Sequence, residues 1–339
     1  MNDSMNLFSQ AGERVLVETW PNEWQMVELQ PGGVLQTRFG AFHHDDFIGR
    51  RKAGFCWYGL RSRRAGAFLR TLPSRFHTAV PKVTSRRTQV IYAVDVASLL
   101  CRLELEPGSV VIEAGTGSGS LTWLLAQTVA PCGQVHTYEC HEGRFAAARA
   151  ELERHLQEQW PASWSRSGWT PKGLVRFHHQ DVRTEALCRP DASTEADERP
   201  AQGTVQAVVL DMPEPHLVVG PAATALRPGL GTLAVFLPSV EQVWRLQNAL
   251  ALSNAFYGVQ VWSNISRTWL SEIPAAANGN SSTTLIVRSR VSSRCHPNGA
   301  HTGYIVVARR QASLEASETR LSVPIISWNK RIRQEARHR

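Results

Sequence analysis

Residues 110–120 read V-V-I-E-A-G-T-G-S-G-S, and no other stretch narrows the choice of fold as much. A short apolar run ends in an acid, Glu113, and then Gly115, Gly117 and Gly119 alternate with small hydroxylated residues. Residues 121–129 continue as an apolar stretch of helical length. An unbroken apolar run is how a strand buried on both faces reads, and a sharp turn into a helix needs residues free to adopt unusual dihedrals. Such a turn sets backbone N–H groups and a helix N-terminus beside any ligand lying across the strand end. Nicotinamide dinucleotides and S-adenosylmethionine both use this geometry, and some glycine-rich strand–helix turns hold nothing. The loop alone therefore leaves the ligand open.

The rest of the chain supplies alternating strands and helices around it. Gln134–Glu139 reads as a second strand, residues 142–157 as a helix and 174–177 as a third strand. Residues 205–211 and 231–237 are expected as the fourth and fifth strands, with a helix over 241–252 and closing strands at Phe256–Trp262 and 304–308. Residues 87–103, opened by R-T-Q, read as an apolar helical stretch before Pro107-Gly108 turns the chain into the glycine-loop strand. Alternation of this kind predicts an α/β fold, a mainly parallel sheet with helices on both faces. Residues 188–203, rich in acid, Pro and Ser, and 275–300, rich in Ser, Asn and Gly, read as surface loops or disordered insertions. Residues 160–171 carry Trp160, Trp164 and Trp169, which suit either a patch covered by a partner or a loop packed on the sheet.

Ahead of this lies different material. Residues 13–50 read as a small β domain, with short strand-like runs at 15–17 and 26–29 and a turn at Pro31-Gly32-Gly33. His43, His44, Asp45 and Asp46 invite a metal reading, but four neighbours on a strand do not converge on one ion. Residues 50–87 are strongly basic, with Phe55, Trp57, Tyr58, Phe68 and Phe76 interleaved. Basic residues with aromatics suit a phosphate backbone with splayed bases, and they equally suit a solvated connector with its aromatics turned inward. The formal net charge is +8, and lysine stands only at 52, 82, 172 and 330, so arginine carries the basic surface. Forked arginine contacts fit a nucleic acid partner; GC-biased codon usage produces the same excess. Six scattered cysteines without a C-x-x-C pair point to a reducing compartment and no structural zinc. No apolar run approaches the ~20 residues needed to span a bilayer, and the opening residues lack a signal-peptide pattern. With 339 residues there is room for two domains.

In an open parallel sheet the ligand lies over the carboxyl ends of the strands near the switch point. Four elements meet there. The first is the loop of residues 115–120. Glu139, ending the second strand, is placed to bind a pair of ribose hydroxyls, or else to serve as a helix N-terminal charge. Asp181-Val182 follows the third strand, where a carboxylate can accept from an adenine amino group or simply cap a helix. The fourth is D-M-P-E-P-H (211–216), directly after the apolar Val208-Val209-Leu210. Two prolines lock φ and hold Asp211 rigidly over the crevice. A hydride transferase gains nothing from an acid there, whereas an amino-group methylase does.

Six motifs in order then resemble a known family, the catalytic subunits of tRNA (adenine-N1)-methyltransferases that modify position 58 in the T-loop. They are R-F-G-x-F-x-H-D-D-F-I-G (38–49), R-T-Q-V-I-Y-x-x-D (87–95), E-A-G-T-G-S-G-S-L-T (113–122), Y-E-C-H-E-G-R-F (138–145), D-M-P-E-P-H (211–216) and H-T-G-Y-I-V-V-A (301–308). The H-D-D-F-I-G version resembles the eukaryotic branch. Ser85-Arg86 departs from the proline and histidine that relatives often carry before R-T-Q, and the insertions near 160–172, 188–203 and 275–300 lie outside the shared pattern.

The resemblance implies a Rossmann-like class I methyltransferase domain over residues 76–310, an N-terminal β domain over 1–75 for RNA binding and assembly, and a basic tail over 311–339. It implies S-adenosyl-L-methionine as cofactor and no metal. Gln89 and Ile91 would contact the methionine moiety of the donor. Gly115, Gly117, Ser118, Gly119 and Ser120 would cradle it, and Glu139 would take the ribose with help from Arg144. Asp181 and Val182 would border its adenine, and Asp211 would be the catalytic acid. It also implies tRNA as substrate, a related non-catalytic RNA-binding subunit in a heterotetramer of two copies of each, no membrane, and a nuclear location with a mitochondrial variant as the alternative. The rival readings are a class I methyltransferase on another RNA, a non-catalytic subunit of the same complex, and a nicotinamide dehydrogenase.

Overall fold

The computed structural model describes residues 10–20, 23–37, 40–49, 58–61, 68–73, 89–159, 171–190, 197–265, 268–272, 290–294 and 302–312. Six N-terminal strands come first: β1 (Arg14–Trp20), β2 (Glu23–Glu28), β3 (Val34–Thr37), β4 (Gly40–His43), β5 (Tyr58–Arg61) and β6 (Phe68–Pro73). β1, β2, β5 and β6 form an antiparallel sheet in the order β2-β1-β6-β5, and β3 pairs with β4. Alternate residues turn inward, so Val15, Val17, Val27 and Leu29 pack with Leu35, Phe42 and Phe47. The H-H-D-D run serves a local turn: the His44 Nδ1 accepts from Gln30 N–H at 3.0 Å, and the Asp45 carboxylate accepts from Gly32 N–H. Within the basic stretch, β5 and β6 are strands of this sheet, so those segments are not a connector. The rest of residues 50–88, Trp160, Trp164, Trp169 and the chain beyond 312 lie outside the described residues.

Next come α1 (Ala93–Leu103), β7 (Val110–Ala114), α2 (Ser120–Val129), β8 (Gln134–Glu139), α3 (Glu142–Gln159), β9 (Val175–His179) and β10 (Ala207–Leu210). They are followed by α4 (Val219–Ala225), β11 (Thr232–Leu237), α5 (Val240–Ser253), β12 (Phe256–Trp262), β13 (Thr268–Glu272), β14 (Arg290–Arg294) and β15 (Tyr304–Arg310). The main sheet has the order β12-β15-β11-β10-β7-β8-β9, and β15 runs antiparallel to both neighbours. Leu99, Trp123, Leu125 and Leu152 fill one face and Val219, Ala222, Leu246 and Leu250 the other. Val111 and Ile112 of β7 are fully buried, which is why that strand reads as an unbroken apolar run.

Two expectations are corrected. Residues 89–92 are not helical: Tyr92 is extended and helix α1 starts at Ala93. Residues 290–294, inside the segment expected as a loop, form β14 and pair with β13. The 188–203 insertion has its ends joined by a bridge between Arg189 and Ala201, as a surface loop allows, and Arg199 pairs locally with Asp197 at 2.6 Å.

Candidate active site

β8 and β9 are laid to one side of β7, and the chain then crosses to place β10 on the other side. The carboxyl ends of β7 and β10 therefore diverge into a crevice. Pairing of Leu210 with Ala114 brings Asp211 beside Gly115, and Asp211 N–H donates to Ala114 O at 2.9 Å. Gly115 has φ +97°, and a Cβ added there would stand 2.0 Å from the Asp211 carbonyl oxygen. Glycine is thus required twice over, for the turn and for the close approach of the two strand ends. Gly119, with φ +79°, leaves room for Leu152, so the start of α2 packs closely on α3. Ser118 and Ser120 hydroxyls sit 3.2 Å apart inside the loop.

Glu139 is 4% exposed and held from several directions. Its Oε2 accepts from Gly117 N–H at 3.1 Å, and its Oε1 accepts from His141 N–H at 3.0 Å and from Arg144 at 2.8 Å. Burial alone would raise its pKa; the bonds from Arg144, His141 and Gly117 outweigh that and hold it below the usual carboxylate value. Asp211 has the opposite surroundings. No hydrogen bond to its carboxylate is found among the described residues, and burial pushes it up to about 7. The following turn puts Glu214 at φ +57°, ahead of the short helical turn Pro215–Val218. Arg183 bridges Glu214 and Asp181, at 3.2 and 2.8 Å.

One cavity collects Gln89 and Ile91 with Gly115, Gly117, Ser118, Ser120 and Asp211. Gly119, Glu139, Arg144, Asp181 and Val182 do not line it, although Glu139 is joined to it through Gly117. Arg144 is engaged with Glu139 and so acts on the site through that carboxylate. Asp181 is occupied by the main chain and guanidinium of Arg183, which holds its carboxyl low, and the Val182 side chain belongs to the core around Tyr138 and Leu187.

Sequence reasoning assigned no role to Glu113. It is 1% exposed, and its Oε2 accepts from Thr122 at 2.5 Å and Thr137 at 2.7 Å. Burial drives its pKa up to about 8, with the hydroxyls of Thr122 and Thr137 pulling it down and the charges of Asp211 and Glu139 adding to the rise. An acid placed within an otherwise apolar buried strand was the available signal. Asp95 was missed too. It is fully buried and accepts from Asn264 at 2.9 Å and from the Thr302 hydroxyl, joining α1 to the chain before β13 and before β15.

The residues present fit an adenosyl donor. The glycine cradle would be filled by any Cβ at Gly115, a fixed carboxylate stands at the end of β8, and the cavity lining mixes aliphatic and polar residues with two acids and no cation among the described residues. That lining suits a ligand carrying positive charge.

Comparison with known proteins agrees with this geometry. Over 263 residues the chain is 28% identical to the tRNA (adenine(58)-N(1))-methyltransferase catalytic subunit of Candida albicans, covering 77% of this chain and 70% of that one. It is 30% identical to the protein of the same name from Cryptococcus neoformans, covering 76% of this chain and 53% of that one. The chain thus spans between about half and seven-tenths of the length of these relatives. The solved tRNA (m1A58) methyltransferase of Aquifex aeolicus has a TM-score of 0.64 at 21% identity, over 90% of this chain and all of that one. A S-adenosylmethionine-dependent O-methyltransferase of Thermotoga maritima scores 0.63 at 22% identity, over 91% of this chain and 97% of that one. These two likenesses establish a Rossmann-like class I methyltransferase fold. The family model described as tRNA methyltransferase complex GCD14 subunit matches residues 79–284, more than half of the sequence and all of the crevice, and the chain belongs to that family.

Proposed function

We propose that this chain is the catalytic subunit of a tRNA methyltransferase acting at N1 of adenine 58, as the relatives' names describe for those proteins, with S-adenosylmethionine as the methyl donor. The observation that carries the reading is Asp211. It is a rigidly held acid with no side-chain partner among the described residues, set against the glycine loop where β7 and β10 part.

When bound, the donor supplies an electrophilic methyl on a cationic sulfur. Adenine N1 already carries a lone pair at neutral pH, so no base is needed to create the nucleophile. The barrier lies in aligning N1 with the methyl and in the positive charge that spreads into the ring. Asp211 answers both by accepting a hydrogen bond from the exocyclic amino group, fixing the base and stabilising the developing charge. Gln89 and Ile91 would face the methionine end of the donor, and Gly115, Gly117, Ser118, Gly119 and Ser120 would cradle its middle. Glu139, already oriented by Gly117, His141 and Arg144, would accept from the ribose hydroxyls. Arg144 positions Glu139, and Asp181 with Val182, although outside the cavity lining, would border the adenine. An N1 engaged in pairing is out of reach, so the target base leaves its stack at a cost of a few kcal/mol that phosphate contacts elsewhere must offset.

The basic residues of the N-terminal region and a related, non-catalytic RNA-binding subunit, two copies of each chain in all, are the proposed source of those contacts. The nucleus is the compartment proposed for the complex, with the mitochondrion as the alternative. The deciding experiment is Asp211→Ala. Loss of a transition-state contact of ~3–4 kcal/mol lowers single-turnover rate by ~10²–10³, with donor affinity falling far less. Retention of more than half of the wild-type rate on saturating tRNA would remove Asp211 from the mechanism.

A further inference from the structure

The cavity below the glycine loop has an uneven charge. Among the described residues that line it, the only ionisable acids or bases are Glu113 and Asp211, and no arginine, lysine or histidine faces them there. The remaining lining is glycine, hydroxyl, amide and aliphatic. Each neighbouring element has been satisfied separately. From α2 and β8, Thr122 and Thr137 donate to Glu113, and Thr116 shares a hydrogen bond with Thr137. Glu139, at the end of β8, is matched to Arg144 of α3. Asp95 of α1 is taken up by Asn264 and Thr302. Glu113, 1% exposed, and the half-buried Asp211 thus line one cavity whose described lining offers no countercharge. A negative charge on Asp211 adds to the rise of Glu113, so the cavity resists holding two negative charges at once.

We propose that Glu113 and Asp211 form a proton-sharing pair that reads the charge on the donor's sulfur. In the donor-free protein the pair keeps one proton. Arrival of the sulfonium supplies the missing countercharge, and the proton leaves to solvent. In transfer, the N1 lone pair forms the new bond to the methyl carbon, and the S–CH₃ bond breaks with its electrons remaining on sulfur. The positive charge passes to the ring. Once the methylated base departs, the site holds a neutral thioether beside two acids, and the pair takes a proton back. Donor and product are thereby distinguished by charge, at a residue that also supports the loop. Burial pushes Glu113 up to about 8 and Asp211 up to about 7, which places this exchange in the neutral range.

The inference rests on the donor-binding reading above, and its test separates the two. Calorimetry of the co-purified complex with S-adenosylmethionine and with S-adenosylhomocysteine, in two buffers of different ionisation enthalpy near neutral pH, counts the protons released. The expected result is about one proton for the methyl donor and clearly fewer for the demethylated product. Donor affinity should rise by up to about tenfold per pH unit between about pH 6 and 8, while product affinity stays nearly level. In Glu113→Gln, whose side chain still accepts from both threonines, the proton count for the donor should fall by more than half. Asp211→Asn, breaking the pair from its other side, should lower it as well and serves if the first variant does not fold. Equal proton counts for the two ligands, or counts unchanged in both variants, would overturn the pair while leaving the donor site standing. Failure of either ligand to bind would overturn the donor-binding reading, and the pair with it.

Discussion

Glu139 is fixed before any ligand arrives, with its two oxygens shared among Gly117, His141 and Arg144. It holds the loop through Gly117, and on the proposed reading it also takes the ribose. Glu139→Ala should weaken donor binding by ~1.5–3 kcal/mol while tRNA affinity changes little. The melting temperature should also fall, because Gly117 and Arg144 lose their acceptor. Calorimetry showing unchanged donor affinity would reduce Glu139 to a purely structural acid. Gly115 makes a second demand at this scale. A methyl group there meets a carbonyl oxygen at 2.0 Å in a backbone region that side chains avoid, so Gly115→Ala is expected to cost ~1–3 kcal/mol or more. Gly220 inside α4 is the matched control, with nothing within 4 Å of an added Cβ, and Gly220→Ala should be neutral or stabilising by ~0.5–1 kcal/mol. Urea melts of the two variants check both.

Among the elements, those readable from pattern were the ones whose neighbours lie close in sequence or bury both faces. β7, β8 and β11 emerge from apolar runs bounded by turn residues, and the loop between β7 and α2 announces itself through glycine spacing. Residues 89–92 misled because their apolar spacing suits a helix, whereas Ile91 is turned into the crevice and tertiary contact decides. β14, sequence R-V-S-S-R, is polar and finds its partner β13 across a long insertion, so composition alone suggested a loop. The site was legible to the extent that it rests on short motifs. Glu113 was signalled only as an acid in a buried strand, and Asp95 was not legible, because its role depends on partners brought from elsewhere, Asn264 and Thr302 being 169 and 207 residues away. That network ties down α1 directly behind the segment holding Gln89 and Ile91. Asp95→Ala leaves both donors unpaired at ~1–3 kcal/mol each, and should lower both the melting temperature and donor affinity. Equal stability with equal affinity would show that the clamp is dispensable.

For the molecule as a whole, pH acts through two opposed groups. His136 and His178 stack between β8 and β9 with nitrogens 3.1 Å apart, and burial lowers them to about 3 and about 4. Unfolded histidine binds protons near pH 6.5, so the unfolded chain takes up more protons there, and stability is lost as pH falls below that value. Glu113 and Asp211 pull the other way, since their raised values favour the fold at lower pH, an advantage lost as pH rises through about 8 and 7. The diagnostic is therefore a difference: His136→Phe should flatten the loss of stability between pH 7 and 5 relative to wild type, read from melts. RNA binding also belongs to this scale. A net charge of +8 is modest for gripping a folded tRNA, so the single chain should bind more weakly, and with a shallower dependence of log K on log salt, than the complex with its partner subunit. Filter binding across a salt series, giving the same affinity and slope for both, would make the partner dispensable. The most direct measurement of all is methyl transfer by the co-purified complex to an unmodified tRNA transcript, followed by mapping of the modified base. The account predicts one methylated position, N1 of adenine 58, absent when Asp211 is replaced by alanine. A methyl group on another base or atom, or the same product from the Asp211→Ala complex at an undiminished rate, would contradict it.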